Sequence, residues 1–474
     1  MGNVTTSCPN NISSPDGNGL AVFVDGTTGV MKVKDVVGNT QPISDFVGGC
    51  GGGSSPFQYD ANASGIEPIL GSNNSSGTFA TIGGGNNNTS SALRSTIGGG
   101  AYNTASCRGS FIGGGELNIV SGLRSTIGGG ISNTASGGCS TIGGGYSNTA
   151  SGSFSVVSGG RNNCATALNS IVSGGRSNCA TANYSIVSGG RSNCATANYS
   201  IVSGGRSNCA TGLNSTIGGG KFNCAYGNFS IIGGGYCNFS SQCYSTISGG
   251  KDNKTIGCYS TISGGRVNCA YGCISTVGGG LSNIAFGINS TISGGKFNCA
   301  TGTNSTIGGG YLNFASNFCT TIGGGKCNIA SGCNSTIGGG GNNTASSFFS
   351  FIGSGTNNIS SCNGSGIVGG VYNIASSYYS SVGGGRNNTA SNRYATIGGG
   401  FCNTASGCNS SILGGICNNT CSFTDAMIIG SNLCANRVCA TFVNQLSIMN
   451  IPTASAGLPS GAVWRNGTVL EIIP

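Results

Sequence analysis

The sequence predicts an all-β fold, a β-solenoid or β-roll shaft of about 23 coils of 15 residues with small β caps at both ends. Three observations point there. A 15-residue period runs without insertion from Thr81 to about Asp425. Every coil has Ile or Val at its second position, Gly at its fifth and Asn at its eighth. Finally, the 474-residue chain holds 93 Gly and only 29 charged residues (19 basic, 10 acidic), too little bulk for a thick globular core. Gly-rich sequence with a fixed period reads as a repeat array. Collagen is excluded because Gly does not recur every third residue and only eight Pro occur.

Each coil position then has a physical demand. The Ser-Thr-Ile segment is β-prone, with Ile82, Ile97 and their equivalents pointing inward. The Gly triplet ending at Gly85 supplies a bend where side chains would clash or φ must be positive. Asn88, Asn103 and the rest of the Asn column are expected in the next bend. There an Asn side chain tolerates left-handed geometry, bonds nearby backbone and stacks from coil to coil. Position 9 (Thr, Cys, Ile or Phe) reads as a second inward site, and the small residue at position 10 lets layers approach. At about 4.8 Å per coil the shaft would be on the order of 110 Å long. Two medium side chains per coil make a thin core, which suggests that several chains share one.

The flanks differ. Residues 1–47 contain an expected hairpin, Leu20–Val24 and Val30–Lys34 around a turn, and six of the ten acids lie within residues 16–67. This region reads as a base that docks the chain to a larger particle, or as a plain cap. Residues 48–56 are a Gly-rich linker, with a hinge at 48–55, and residues 57–80 form an irregular cap coil. Residues 426–474 form a C-terminal β cap, with Asn466-Gly467 as a hairpin turn between 462–465 and 468–472 that presents the only Trp. Met1-Gly2-Asn3-Val4-Thr5-Thr6 fits the loose N-myristoylation pattern at Gly2, a match that chance also produces. The N-terminus has no apolar signal core, and no run of about 18 apolar residues suggests a membrane span.

Catalysis is not expected, nor is any cofactor or metal. There is no His, which removes His bases and His-bearing metal sites. Between Thr81 and Asn418 the only acids are Glu116 and Asp252, about nine coils apart, so no pair of carboxylates can form within a chain. The Gly triplets lack the Lys-Ser/Thr of a phosphate loop.

The 25 Cys fall into two sets. Position 9 is Cys in five successive coils, from Cys164 to Cys224, and reads as a column of small buried hydrophobes. Cys237/Cys243, Cys327/Cys333 and Cys402/Cys408 pair positions 7 and 13 of one coil and are candidate disulfides.

The coil text Ser-Thr-Ile-Gly-Gly-Gly-x-x-Asn-x-Ala-Ser-Gly resembles the head repeats of trimeric autotransporter adhesins over roughly 345 residues, though this repeat is one residue longer. The resemblance implies a left-handed β-roll and an intertwined or side-by-side homotrimer. The C-terminal text, with Thr441–Ile448, Ile451-Pro452 and Gly457–Gly467, resembles the endings of virion structural and tail-fibre proteins. Together these imply a trimeric fibre or spike on a virion surface. It would be made in the host cytoplasm without a signal peptide and docked to other virion proteins through residues 1–47. A cellular trimeric adhesin is the alternative. An ice-binding solenoid is a third reading, since Thr holds position 1 in 13 of 23 coils, but no second Thr column accompanies it.

One outer feature suggests a contact. Position 6 is basic in ten coils: Arg161, Arg176, Arg191, Arg206, Lys221, Lys251, Arg266, Lys296, Lys326 and Arg386. From Thr81 to Asn418 there are 15 basic and two acidic residues, a formal charge of +13. The column is a candidate anion-binding stripe for acidic host glycans or acidic virion surfaces, or else a solvated edge. Nucleic acid is disfavoured on the expectation that no aromatic column interleaves it.

Overall fold

The computed structural model describes residues 72–445 continuously. It also describes the segments 21–24, 31–34, 40–42, 57–59, 65–68, 451–453, 456–460, 462–466 and 469–472. The expectations on Gly2 and on the hinge at 48–55 lie outside the described residues. The protein is all-β, a parallel β-solenoid of about 24 turns of about 15 residues. The chain divides into two compact units, Met1–Ser192 and Asn193–Pro474.

In the first unit, Ala21–Val24 pairs antiparallel with Met31–Lys34, and Thr40–Pro42 adds a third strand on the far side of Met31–Lys34. Phe57–Tyr59 and Gly65–Pro68 form an antiparallel pair. Gly65-Ile66 then pairs in parallel with Ala80-Thr81 and starts the ladder. From there each coil repeats two short strands, at positions 1–2 and 9–10, with partners 15 residues on, as in Ile112↔Ile127 and Ala135↔Ala150. Position 6 makes a third, single-residue parallel contact, as in Arg161↔Arg176.

The second unit uses the same three columns, for example Ile247↔Ile262, Cys209↔Cys224 and Lys251↔Arg266. Its ladder runs on past Asp425. Ser411-Ile412 pairs with Met427-Ile428 at a spacing of 16, and Met427–Ile429 pairs with Thr441–Val443 at a spacing of 14. Val463–Asn466 and Val469–Ile472 form an antiparallel pair in which Asn466 faces Val469. Asn466 therefore belongs to the strand and not to the turn expected at Asn466-Gly467. The side chain of Trp464 lies outside what is described.

The interior corrects one expectation. Positions 2, 8, 10 and 15 are the fully buried ones, as with Ile97, Asn103, Ala105 and Ser110. Position 9 faces outward and stays part-exposed in the Cys column. Alternation along the strand explains this: adjacent residues point to opposite faces, so the small residue at position 10 takes the inside. The core is thus one Ile or Val with Ala, Asn and Ser, and it closes within a single chain. The argument that several chains must share a core does not hold, because Ile262 and its equivalents are already fully buried.

The Asn column works differently from the expected left-handed bend. The left-handed residues are position 5, as Gly85 at φ 85°, and the non-Gly positions 7 and 14, as Asn87 at 55° and Arg94 at 57°. Asn sits beside them with its amide turned inward. Asn103 Oδ1 accepts from the Asn118 N–H at 3.0 Å. Its Nδ2 donates to the carbonyls of Gly99 at 3.1 Å and Gly115 at 2.7 Å. One buried amide therefore satisfies groups in the next coil and in its own, which neither Asp nor a hydrophobe could do. Gly85 is required for a second reason, since an added Cβ would collide with the Gly100 carbonyl.

Candidate functional site

The basic residues of position 6 stand where the backbone makes its single-residue contact, between the Gly bend and the left-handed turn at position 7. Nine of the ten are exposed, and Lys221 is half-buried. Parallel pairing aligns them in register. In the first unit Arg161, Arg176 and Arg191 stand on consecutive coils. In the second unit the column reads Arg206, Lys221, Tyr236, Lys251, Arg266, Leu281, Lys296, Tyr311 and Lys326, with Arg386 further on.

Here the expectation that no aromatic interleaves the stripe is corrected. Tyr236 and Tyr311 sit inside the column, and Phe222 and Phe297 flank it from position 7. Lys251 Nζ lies 5.1 Å from the centroid of the Tyr236 ring and Lys221 Nζ lies 5.7 Å from it. Arg161 stands 5.3 Å from the Tyr146 ring in the first unit. Such contacts attract a cation to the ring's negative face, by about 0.5–1 kcal/mol at exposed sites. The signal was available in the sequence, since 236 and 311 share the 15-residue phase of the lysines.

A second outer column, position 14, carries stacked rings. Phe229, Tyr244 and Tyr259 lie parallel at centroid spacings of 4.8 and 4.9 Å. On the face of the first strands, Gly366 replaces the usual position-1 side chain and opens a cleft of about 240 Å³ beside Phe351 and Val368. Its lining is nearly all apolar and holds no acid or base.

The cysteines divide otherwise than expected. All six of Cys237, Cys243, Cys327, Cys333, Cys402 and Cys408 are free thiols. The members of each pair occupy different outward turns, one before and one after the second strand. Among the described residues, Cys421 and Cys434 form a disulfide, with Cα atoms 6.3 Å apart, inside the usual range. In the Cys column, the Cys179 thiol bonding to Cys164 lowers Cys164 to about 6, while burial pushes Cys209 up to about 11. Among the described residues no three His, Cys, Asp or Glu side chains come together as a metal site.

No protein-family model matches this chain, and no curated protein matches it in sequence. Its class therefore rests on the fold: a parallel β-solenoid in which each unit carries basic and aromatic residues in register at position 6.

Proposed function

We propose that the chain is a structural fibre or spike protein of a virion surface, non-enzymatic, whose solenoid serves as a shaft and whose position-6 column attaches to acidic surfaces. The observation behind this reading is the in-register column itself. Ten basic side chains share one repeat position and project from a backbone whose inner positions are fully buried. Like charges on adjacent coils repel, each neighbour costing slightly under about 1 kcal/mol in water before salt screening. Solubility alone does not call for one sign along one edge.

Residues 1–47 are proposed to dock to other virion proteins, and three chains to associate through outer faces. Two experiments test this. Arg176, Arg191 and Arg206 are changed to Ser together, and binding to acidic polysaccharide or host cells is measured across a salt series. Binding should weaken and its salt dependence should fall; equal binding by wild type and mutant, with no salt dependence in either, would return the stripe to a solvated edge. Sedimentation of the purified chain should show a trimer, and a folded monomer would remove that part of the proposal.

A further inference from the structure

We propose that Lys221, Phe222, Tyr236 and Lys251 form a binding site for an acidic polysaccharide, and that Lys296, Phe297, Tyr311 and Lys326 form a second copy of it. This deepens the attachment reading and rests on it.

The two clusters are the same construction. Each residue of the second follows its equivalent in the first by 75 positions, five coils of 15. The text Gly-Gly-Lys-Phe-Asn-Cys-Ala begins both, and Gly-Gly-Gly-Tyr-x-Asn-Phe follows in the next coil of both. The geometry repeats as well. The ring centroids of Phe222 and Tyr236 are 5.8 Å apart edge to face, and those of Phe297 and Tyr311 are 6.0 Å apart edge to face. Lys221 Nζ lies 4.9 Å from the Phe222 ring, and Lys296 Nζ lies 4.9 Å from the Phe297 ring. The lysines of the coils before and after each Tyr lie over its ring, Lys296 and Lys326 both at 6.0 Å from the Tyr311 centroid.

Charge dispersal does not explain the interposed ring. Arg161, Arg176 and Arg191 stack on consecutive coils with no ring between them, so the fold tolerates such neighbours unaided. What each cluster adds is a pair of ammonium groups two coils apart, roughly 10 Å by strand spacing, with an exposed phenol between them. Lys supplies compact point charges suited to sulfate or carboxylate groups. The Tyr hydroxyl can donate to or accept from sugar hydroxyls between those groups. Nucleobases need a free ring face for stacking, and here ammonium groups occupy the faces of both Tyr rings. The five-coil interval sets the two sites about 24 Å apart along the ladder, so one polymer chain can engage both and gain avidity.

The test uses the full chain and the double variant Tyr236→Ala/Tyr311→Ala, which keeps every positive charge. Titrations use a sulfated polysaccharide, uncharged dextran and single-stranded oligothymidylate, with hydrogen exchange confirming that the coils remain folded. Affinity of the double variant for the sulfated polysaccharide should fall roughly tenfold or more, each single variant should lose part of that, and dextran should not bind. Retention of full affinity by the double variant, with loss in the Arg176/Arg191/Arg206→Ser triple variant, would overturn the two-site inference and leave the stripe as the binder. Tighter binding of oligothymidylate than of the polysaccharide, abolished by the same Tyr changes, would reassign the site to nucleic acid and also overturn it. Failure of the wild type to bind any polyanion would remove the attachment reading itself.

Discussion

The coils up to Asn418 and the two turns that follow hold their layers together by different means. In the regular coils each layer is fastened by a buried Asn. The last of these, Asn418, still donates to Gly430 at 2.7 Å, and its Oδ1 accepts from the Leu433 N–H at 3.1 Å. Leu433 has no amide to pass on, and the spacing of strand partners changes to 16 and then 14 residues. There the covalent Cys421–Cys434 bond and the Asn444 side chain take over, Asn444 bonding both the N–H and the carbonyl of Ser431 at 2.6 and 3.0 Å. A noncovalent ladder needs strict register, because each amide must meet carbonyls in fixed places. A disulfide tolerates a slipped register, since it needs only two Cα atoms within reach and Cβ atoms that face each other.

Five substitutions sharpen that contrast. The largest effect is expected from Ile262→Asp, which buries a charge with no partner in a position that is fully buried in a single chain. A loss on the order of 5 kcal/mol should open the flanking coils in hydrogen exchange. An unaltered exchange profile would show that the core is less closed than described.

Next is Asn268→Ala. It takes the Asn268 amide away from the Gly264 and Gly280 carbonyls, both at 3.0 Å, and from the Asn283 N–H at 2.9 Å, while the Gly280 carbonyl keeps the Arg266 N–H at 2.8 Å. Roughly 3 kcal/mol should be lost locally, given about 1–3 kcal/mol for each unsatisfied buried group and some relaxation. Denaturant melts of variant and wild type that coincide would mean that the Asn ladder is dispensable.

Cys434→Ser should cost about 2 kcal/mol, confined to residues beyond Thr420, because the bond closes a loop of sequence separation 13. Limited proteolysis should then cut the last turns while the Asn-bearing coils stay intact. Cleavage spreading evenly along the chain would deny that the two regions are separately fastened.

The smallest effect is expected for Gly264→Ala, within about 0.5 kcal/mol, because nothing lies within 4 Å of a Cβ built there. The neighbouring Gly265→Ala should be far worse, since Gly265 has φ 82° and the Gly280 carbonyl blocks its Cβ. Equal melting of the two variants would show that the Gly bend makes no such distinction.

Much of the fold was legible in the residues. A constraint repeated in every coil leaves a column in the text, so the inward Ile or Val, the invariant Asn and the obligatory Gly85 equivalents stand out by periodicity. The ten-residue basic column was legible for the same reason, and Tyr236 and Tyr311 share its phase. Three things were decided only by the tertiary structure. A two-residue strand is too short to show alternation, so whether Cys209 or Ala210 faces inward depended on how the coil closes around its core; Ala210 is fully buried. The left-handed positions 7 and 14 hold residues as different as Asn87, Phe222 and Tyr244, which betray no turn chemistry, because the backbone there is set by packing against the coils before and after. The pairing of Cys421 with Cys434 appears only where the 15-residue register slips, and a period cannot report the place where it fails.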